Sequence, residues 1–406
     1  MIYYIDSING CDANNGQTSD NPKKDYTKLT PVSGDSILFK RGNIYSAPLE
    51  SVEGVTYGAW GEGDMPTFCG SVDASNRDNW VETEENIWKY TGESIGKVGN
   101  IVLDDCYGTF RWEKDELSLQ GDFWDSRQID ENKPQEYDSY ELLLYSEKNP
   151  AECYKRIEIC HYGKRVLGYI KSGNTFEGLR FKNSGVHGLA GQGKGVVIRN
   201  CAFENIGGVM FYKNTKVRFG NAVEFWQYGE DILIENCTFY QVYDSCVTHQ
   251  GNHDIVTPAK NMICRNNTFD SYGMAAFEYR DRIPVSSSFS GNICKNAGCG
   301  FAMQGEELPR FSEIYPEPMG HHIFLWRMEK GTEGGSLVIE NNCFEAAPVG
   351  AAIYSIISPD AESQITLNNN TYTASKTLLI RFGQKNYSNF EEYKRETGQD
   401  KDSRIR

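Results

Sequence analysis

Glu224 in NAVEFWQ and Glu278 in AAFEYRD hold the same place in two copies of one local pattern, with SCVTHQG between them. Setting Val223, Val247 and Phe277 in register puts Glu224, Thr248 and Glu278 in one column and Trp226, Gln250 and Arg280 in the next. If these segments are stacked strands, alternate residues share a face. Two carboxylates on one face suit acid and base work at a single bond: one protonates a leaving oxygen while the other activates water. Stacked strands lie about 4.8 Å apart, so a pair two strands apart is separated by roughly 9–10 Å. That is the long end of the about 6.5–9.5 Å used in inverting glycoside hydrolysis, and well beyond the about 5–5.5 Å of the retaining reaction.

The neighbours of the pair carry their own expectations. On the outward parity, Ala222, Cys246 and Ala276 read as a floor of small residues, with Trp226 placed to stack on a sugar and Gln250 and Arg280 to hydrogen-bond one. Asp244 enters the same strand through a turn and is a third catalytic candidate, although Asp also serves turns by capping its own backbone. His249 falls on the inward parity as a core histidine and reaches substrate only if its strand bulges. His187 lies one or two repeats earlier on the same side, and Asp281 follows Arg280 as a substrate contact or a structural partner. His253 and Asp254 sit in a loop that would overhang the cleft. His321 and His322 are strand neighbours, so they face opposite ways. No HExxH or comparable spacing is present, and neither a metal nor a cofactor is expected.

The elements that position these residues repeat. VVIRNCAF, ILIENCTF, MICRNNTF, SFSGNICK, LVIENNCF and ITLNNNTY each join a period-two strand to an Asn-containing turn and a second strand. Their spacing of roughly 22 to 50 residues is that of a solenoid, and its β rather than helical periodicity predicts a right-handed parallel β-helix. Cys201, Cys237 and Cys343 recur beside the Asn as a ladder of small core side chains. We expect an N-terminal cap with the first coils over 1–70, an inserted β lobe over 71–150, β-helix repeats over 151–384 and a helical cap over 385–406. Trp80, Trp88, Trp112 and Trp124 in the lobe read as a small satellite core, or as sugar platforms walling a cleft.

Composition narrows the class of partner. The net charge of −15 argues against nucleic acid and anionic membrane, and it disfavours a uronate polymer. No run of about 18 apolar residues offers a membrane span. The 12 cysteines lack zinc or CxxC spacing, and with no visible signal segment they point to the cytoplasm. A chain already relieved of a leader would read the same.

The opening YYID…NGCD with GDSILFKRG and YGAWGEG, the Asn repeats, RFGNAVEFW, VYDSCVTHQG and the terminal TGQDKDS together resemble bacterial right-handed parallel β-helix carbohydrate-active enzymes, in their glycoside hydrolase branch. The resemblance implies glycoside hydrolysis; the net charge then points to a neutral oligosaccharide, the carboxylate spacing to inversion and a cytoplasmic place to exo action. Two alternatives stay open: a polysaccharide lyase acting by β-elimination through Arg280, Arg282 or Lys260 with His249 or Tyr279, and a non-catalytic glycan-binding β-helix. Homo-oligomers are compatible with any of these. The Tyr-Gly-Phe-Asp-Pro-His motif of β-helix epimerases is absent.

Overall fold

The asparagines of the repeats do two jobs in succession. The first residue of each pair turns the chain in the left-handed region, with φ of 53° at Asn200, 54° at Asn236, 56° at Asn266, 58° at Asn341 and 54° at Asn369. Asn tolerates this conformation better than other side chains, and Gly291 takes the same place in the SGN repeat with φ of 65°. The second residue then points inward. A computed structural model describes residues 1–126, 141–163, 166–212, 217–250, 257–303, 319–328, 333–345, 347–348, 350–357, 359–373 and 380–406.

Strands stack in parallel on three faces. The first carries Ile2–Ile5, Ser36–Lys40, Thr56–Trp60 and Thr175–Glu177, then the C-terminal halves of His187–Arg199 and Val223–Glu235, then Lys260–Arg265, Ser287–Ser290, Leu337–Glu340 and Ile365–Asn368. The second runs from Ile44–Tyr45 through Thr67–Cys69, Arg180–Ser184, Ala202–Ile206, Thr238–Val242 and Thr268–Tyr272 to Arg404–Ile405. The third holds Val166–Ile170, the N-terminal halves of the two 13-residue strands, then Ser245–Gln250, Ala275–Arg280, His321–Met328, Ile353–Ile357 and Ile380–Phe382. Coil geometry thus begins at the first strand, and the segment between Ser71 and His161 interrupts it.

Like residues stack on like inside. Phe68, Phe181, Phe203, Phe239 and Phe269 form a column with successive ring centroids 5.5, 5.3, 4.9 and 4.7 Å apart. A second internal column is polar. Asn267 Oδ1 accepts from the Cys237 amide, Asn292 from Asn267, Asn342 from Asn292 and Asn370 from Asn342, at 2.9 to 3.0 Å. Cys201 and Cys237 extend this column toward the N-terminus, whereas Cys343 does not belong to it. Cys343 is one residue past Asn342 and pairs with Ile293 on the second face. The described cysteines are all free.

The ladder is closed by the C-terminal cap. Asp400 accepts from Asn370 Nδ2, Tyr372 Oη and Tyr393 Oη, and Ser403 Oγ also bonds its carboxylate. Tyr393 belongs to the helix Phe390–Thr397, which Asn389 caps at its start and Gly398 ends in the left-handed conformation. This helix covers the last coil, whose free edge would otherwise offer strand pairing to other chains.

The lobe between Ser71 and His161 builds its own core. Trp80 is buried there with Val98, Ile101, Leu103, Phe110 and Phe123, Trp88 and Trp112 pack against that cluster, and Trp124 packs on a smaller one with Ile87, Leu117 and Leu143. All four tryptophans thus pack on the cores of the lobe itself.

Asn292→Ala should lower the unfolding free energy by about 2–4 kcal/mol, because it strips partners from the buried Asn267 amide, the Cys264 carbonyl and Asn342 together. Urea denaturation checks this, and a loss below about 0.5 kcal/mol would deny the ladder its structural role.

Candidate active site

On the third face Ala190, Glu224, Thr248, Glu278, Phe324 and Tyr354 pair in register along one outward column. The expected stack of Glu224, Thr248 and Glu278 is present without a shift. Beside it Trp226 pairs with Gln250 and Arg280 with Trp326. The alternation expected at the strand starts fails, however. Ala222, Cys246 and Ala276 are part of the main interior core. The outward row at that level is instead Asn221, Ser245, Ala275 and His321, because two consecutive residues, Ala222–Val223, Cys246–Val247 and Ala276–Phe277, face inside.

The two glutamates share burial and differ in everything else. Glu224 is 5 % exposed, and donors reach both of its oxygens. Trp226 Nε1 and Gln250 Nε2 each donate to Oε1 at 2.8 Å. Asn221 Nδ2 donates to Oε2 at 3.0 Å, and His187 Nδ1, which accepts from the Asn221 amide at 3.1 Å, lies 3.0 Å from the same oxygen. Burial opposes ionisation, but His187 together with the Asn221 and Trp226 hydrogen bonds outweighs it and holds the carboxyl at about 2.

Glu278 is 2 % exposed and receives fewer donors, Trp326 Nε1 at 2.5 Å on Oε1 and Ser245 Oγ at 3.1 Å on Oε2. Burial pushes its pKa up. Arg280 and the hydrogen bonds pull against that without overcoming it, and the charge of Asp244 adds to the rise. Asp244 is therefore the carboxylate that Glu278 senses. It comes from the turn before Ser245–Gln250, where Gly220 N–H donates to Oδ2 at 2.8 Å.

One path of hydrogen bonds and a cation–π contact joins the two glutamates. Gln250 donates to Glu224 and accepts from Arg280 Nη1 at 2.6 Å. The Arg280 guanidinium lies 4.6 Å from the centre of the Trp326 ring, and that indole donates to Glu278. Arg280 Nε is also 3.4 Å from Asp281. Asp281 is thus placed as a partner of arginine, as its position after the strand allowed.

His249 is not brought to this site. It lies in the interior column between Phe225 and Tyr279, with no register shift to turn it outward, and burial lowers its pKa to about 4. His321 and His322 do part ways: His321 packs on Tyr354 outside, while His322 meets Tyr272 Oη inside at 2.6 Å. His253 and Asp254 lie outside the described residues. Among the described residues no group of three or more His, Cys, Asp and Glu could hold a metal ion. Sequence reasoning missed Trp326, which continues the Arg280 column but is separated from it by a long insertion. Asn221 and Ser245 stood inside quoted motifs, with nothing in the pattern to mark them as donors.

Residues 156–311 match the family described as the right handed beta helix region. The chain is a right-handed parallel β-helix. Among solved structures this β-helix is similar to XylC in complex with xylose, with a TM-score of 0.53 and 11% identity over 100% of this chain and 83% of the other. It is also similar to a GH136 lacto-N-biosidase from Eubacterium ramulus, with a TM-score of 0.50 and 12% identity over 93% of this chain and 61% of the other. The β-helix thus spans less than two thirds of the second enzyme, and at such identities the likeness establishes the fold. No curated protein matches the sequence. No described helix is long and apolar enough to cross a membrane.

The Glu224 environment predicts a pH dependence. Its folded pKa of about 2 lies below the ordinary 4.5, so between these values the unfolded chain binds more protons. Stability from Glu224 is then present above about 4.5 and lost as pH falls toward about 2, amounting to roughly 3 kcal/mol at one unit per 1.36 kcal/mol. The difference in urea stability between wild type and Glu224→Gln should shrink across that window. A difference that stays constant from neutral to acid pH would contradict the assigned environment.

Proposed function

We propose that the protein is a glycoside hydrolase acting on a neutral oligosaccharide, with Glu278 as general acid and Asp244 as the second carboxylate. The observation that carries this reading is the setting of Glu278: burial pushes this carboxyl toward the neutral form, and the charge of Asp244 adds to that rise. Neutral Glu278 gives its proton to the leaving oxygen. The charge then left on Glu278 meets donors already in place, the Trp326 indole and the Ser245 hydroxyl, with Arg280 nearby. Such fixed donors stabilise charge as it develops without rearranging. Asp244 either activates a water or attacks the anomeric carbon directly, the former giving inversion and the latter retention.

Glu224 fits a different task from the one its column first suggested. With its oxygens occupied by Trp226, Gln250, Asn221 and His187, it is an anchor that orients Trp226 and Gln250 toward the sugar. The engagement of Arg280 by Gln250, Asp281 and Trp326 favours a neutral substrate over a uronate, since an elimination would need a cation free to meet the substrate carboxylate. The xylose held by XylC and the biosidase activity named for the second neighbour fit a sugar-directed β-helix.

A panel of defined neutral oligosaccharides, read by released sugar, identifies the substrate, and proton NMR of the first product gives the anomeric outcome. On that substrate Glu278→Gln and Asp244→Asn should each lower kcat by about 10²–10⁴-fold. Glu224→Gln should cost less in kcat and more in KM. Turnover that survives both Glu278→Gln and Asp244→Asn would overturn the assignment, and an unsaturated product absorbing in the ultraviolet would replace hydrolysis with elimination.

A further inference from the structure

Arg218 is a cation buried outside the carboxylate column, with 5 % of its surface exposed. It lies on Val217–Phe219, which pairs antiparallel with Val209–Tyr212 as a hairpin between Ala202–Ile206 of the second face and Val223–Glu235. Its Nε donates to the Gly208 carbonyl at 2.6 Å, within the hairpin. Its Nη2 donates at 2.6 Å to the Gly99 carbonyl, which belongs to the inserted lobe. The guanidinium is also sandwiched, 4.1 Å from the centre of the Phe110 ring of the lobe and 4.7 Å from that of Tyr243. Tyr243 directly precedes Asp244.

The backbone around this arginine leaves no slack. A Cβ on Gly99 would come within 2.7 Å of the Gly185 carbonyl and 2.8 Å of both the Gly207 carbonyl and the Val209 amide. At Gly208, where φ is 103°, a Cβ would lie 2.3 Å from the Gly99 carbonyl. Lobe, coil and hairpin therefore meet backbone to backbone. Two residues after Arg218, Gly220 bonds Asp244 twice: its amide donates to Oδ2 at 2.8 Å, and its carbonyl accepts from the Asp244 amide at 3.0 Å. The intervening Phe219 points the other way and packs edge-on against His187, which faces Glu224.

We infer that Arg218 is the positioning residue for Asp244, and that the inserted lobe serves the reaction by clamping it. This rests on the role proposed above for Asp244. The lobe supplies one carbonyl and one aromatic face, and the hairpin carries that constraint on one side to the turn of Asp244 and on the other to His187. A displacement of about 1 Å at a reacting group can cost 10²-fold in rate, so a clamp of this kind acts on kcat.

The test compares Arg218→Met, Arg218→Lys and Phe110→Leu in the full chain, on the oligosaccharide that the wild type cleaves, with Asp244→Asn in parallel. Arg218→Met should lower kcat roughly ten- to a hundredfold with KM within about threefold. Arg218→Lys, which keeps a cation between the two rings, should recover most of that loss. Phe110→Leu loosens the clamp from the lobe side without touching the hairpin and should lower kcat in the same sense, which keeps the inference testable if Arg218→Met does not fold. Wild-type kcat in Arg218→Met or in Phe110→Leu, or equal losses in the Lys and Met variants, would overturn the inference. An active Asp244→Asn would instead overturn the reading of the site itself.

Discussion

Parallel strands about 4.8 Å apart bring each side chain against its counterpart in the next coil, and the rest of this molecule follows from that spacing. Inside, the spacing matches the contact distance of stacked rings and the reach of an amide from one coil to the next amide. Phenylalanines and asparagines therefore satisfy one another in columns. Outside, the same spacing is awkward for charge, because carboxylates brought close together in one column would repel. Thr248 between Glu224 and Glu278 relieves that conflict, and the two glutamates then part: the donors around Glu224 outweigh its burial, whereas burial outweighs the donors around Glu278.

Much of the fold was legible because the spacing writes itself into the chain as recurrence. The Asn pairs, the two copies of the carboxylate strand and the terminal helix could all be read from residue types alone. The register of Glu224, Thr248 and Glu278 followed from aligning three apolar residues. Parity failed at one place for a physical reason. Strict alternation breaks at the first turn-to-strand step, where Ala222, Cys246 and Ala276 each face inside together with the residue that follows. Cys343 misled in the same manner, since a one-residue offset moves a side chain to another column.

The site was legible in its acids and not in its donors. Glu224 and Glu278 announce themselves by type, whereas the distinction between them is made by Trp326, Ser245, Asn221 and His187, whose roles depend on which coil each one reaches. Trp326 is the clearest case: it is adjacent to Arg280 in space and separated from it by an insertion in sequence. Asp244 was legible as a candidate but not as the neighbour of Glu278, because a turn has no register from which to compute its reach. Arg218 carried no signal at all. A single arginine in a short hairpin becomes meaningful only when the lobe it touches is in view.

The placement of the candidate site in the middle of the stack bears on how the molecule comes apart. In a solenoid each coil answers mainly to its two neighbours, so loss of order behaves as a one-dimensional process that starts at the ends. The strands bearing Glu224, Asp244 and Glu278 have further coils on both sides, and Arg218 ties them to a lobe with a core of its own. The terminal coils act as sacrificial layers. Warming or denaturant would erode β signal from the ends before it reached the carboxylates, so the chain could lose much of its length of order while the central coils still held their protons in place.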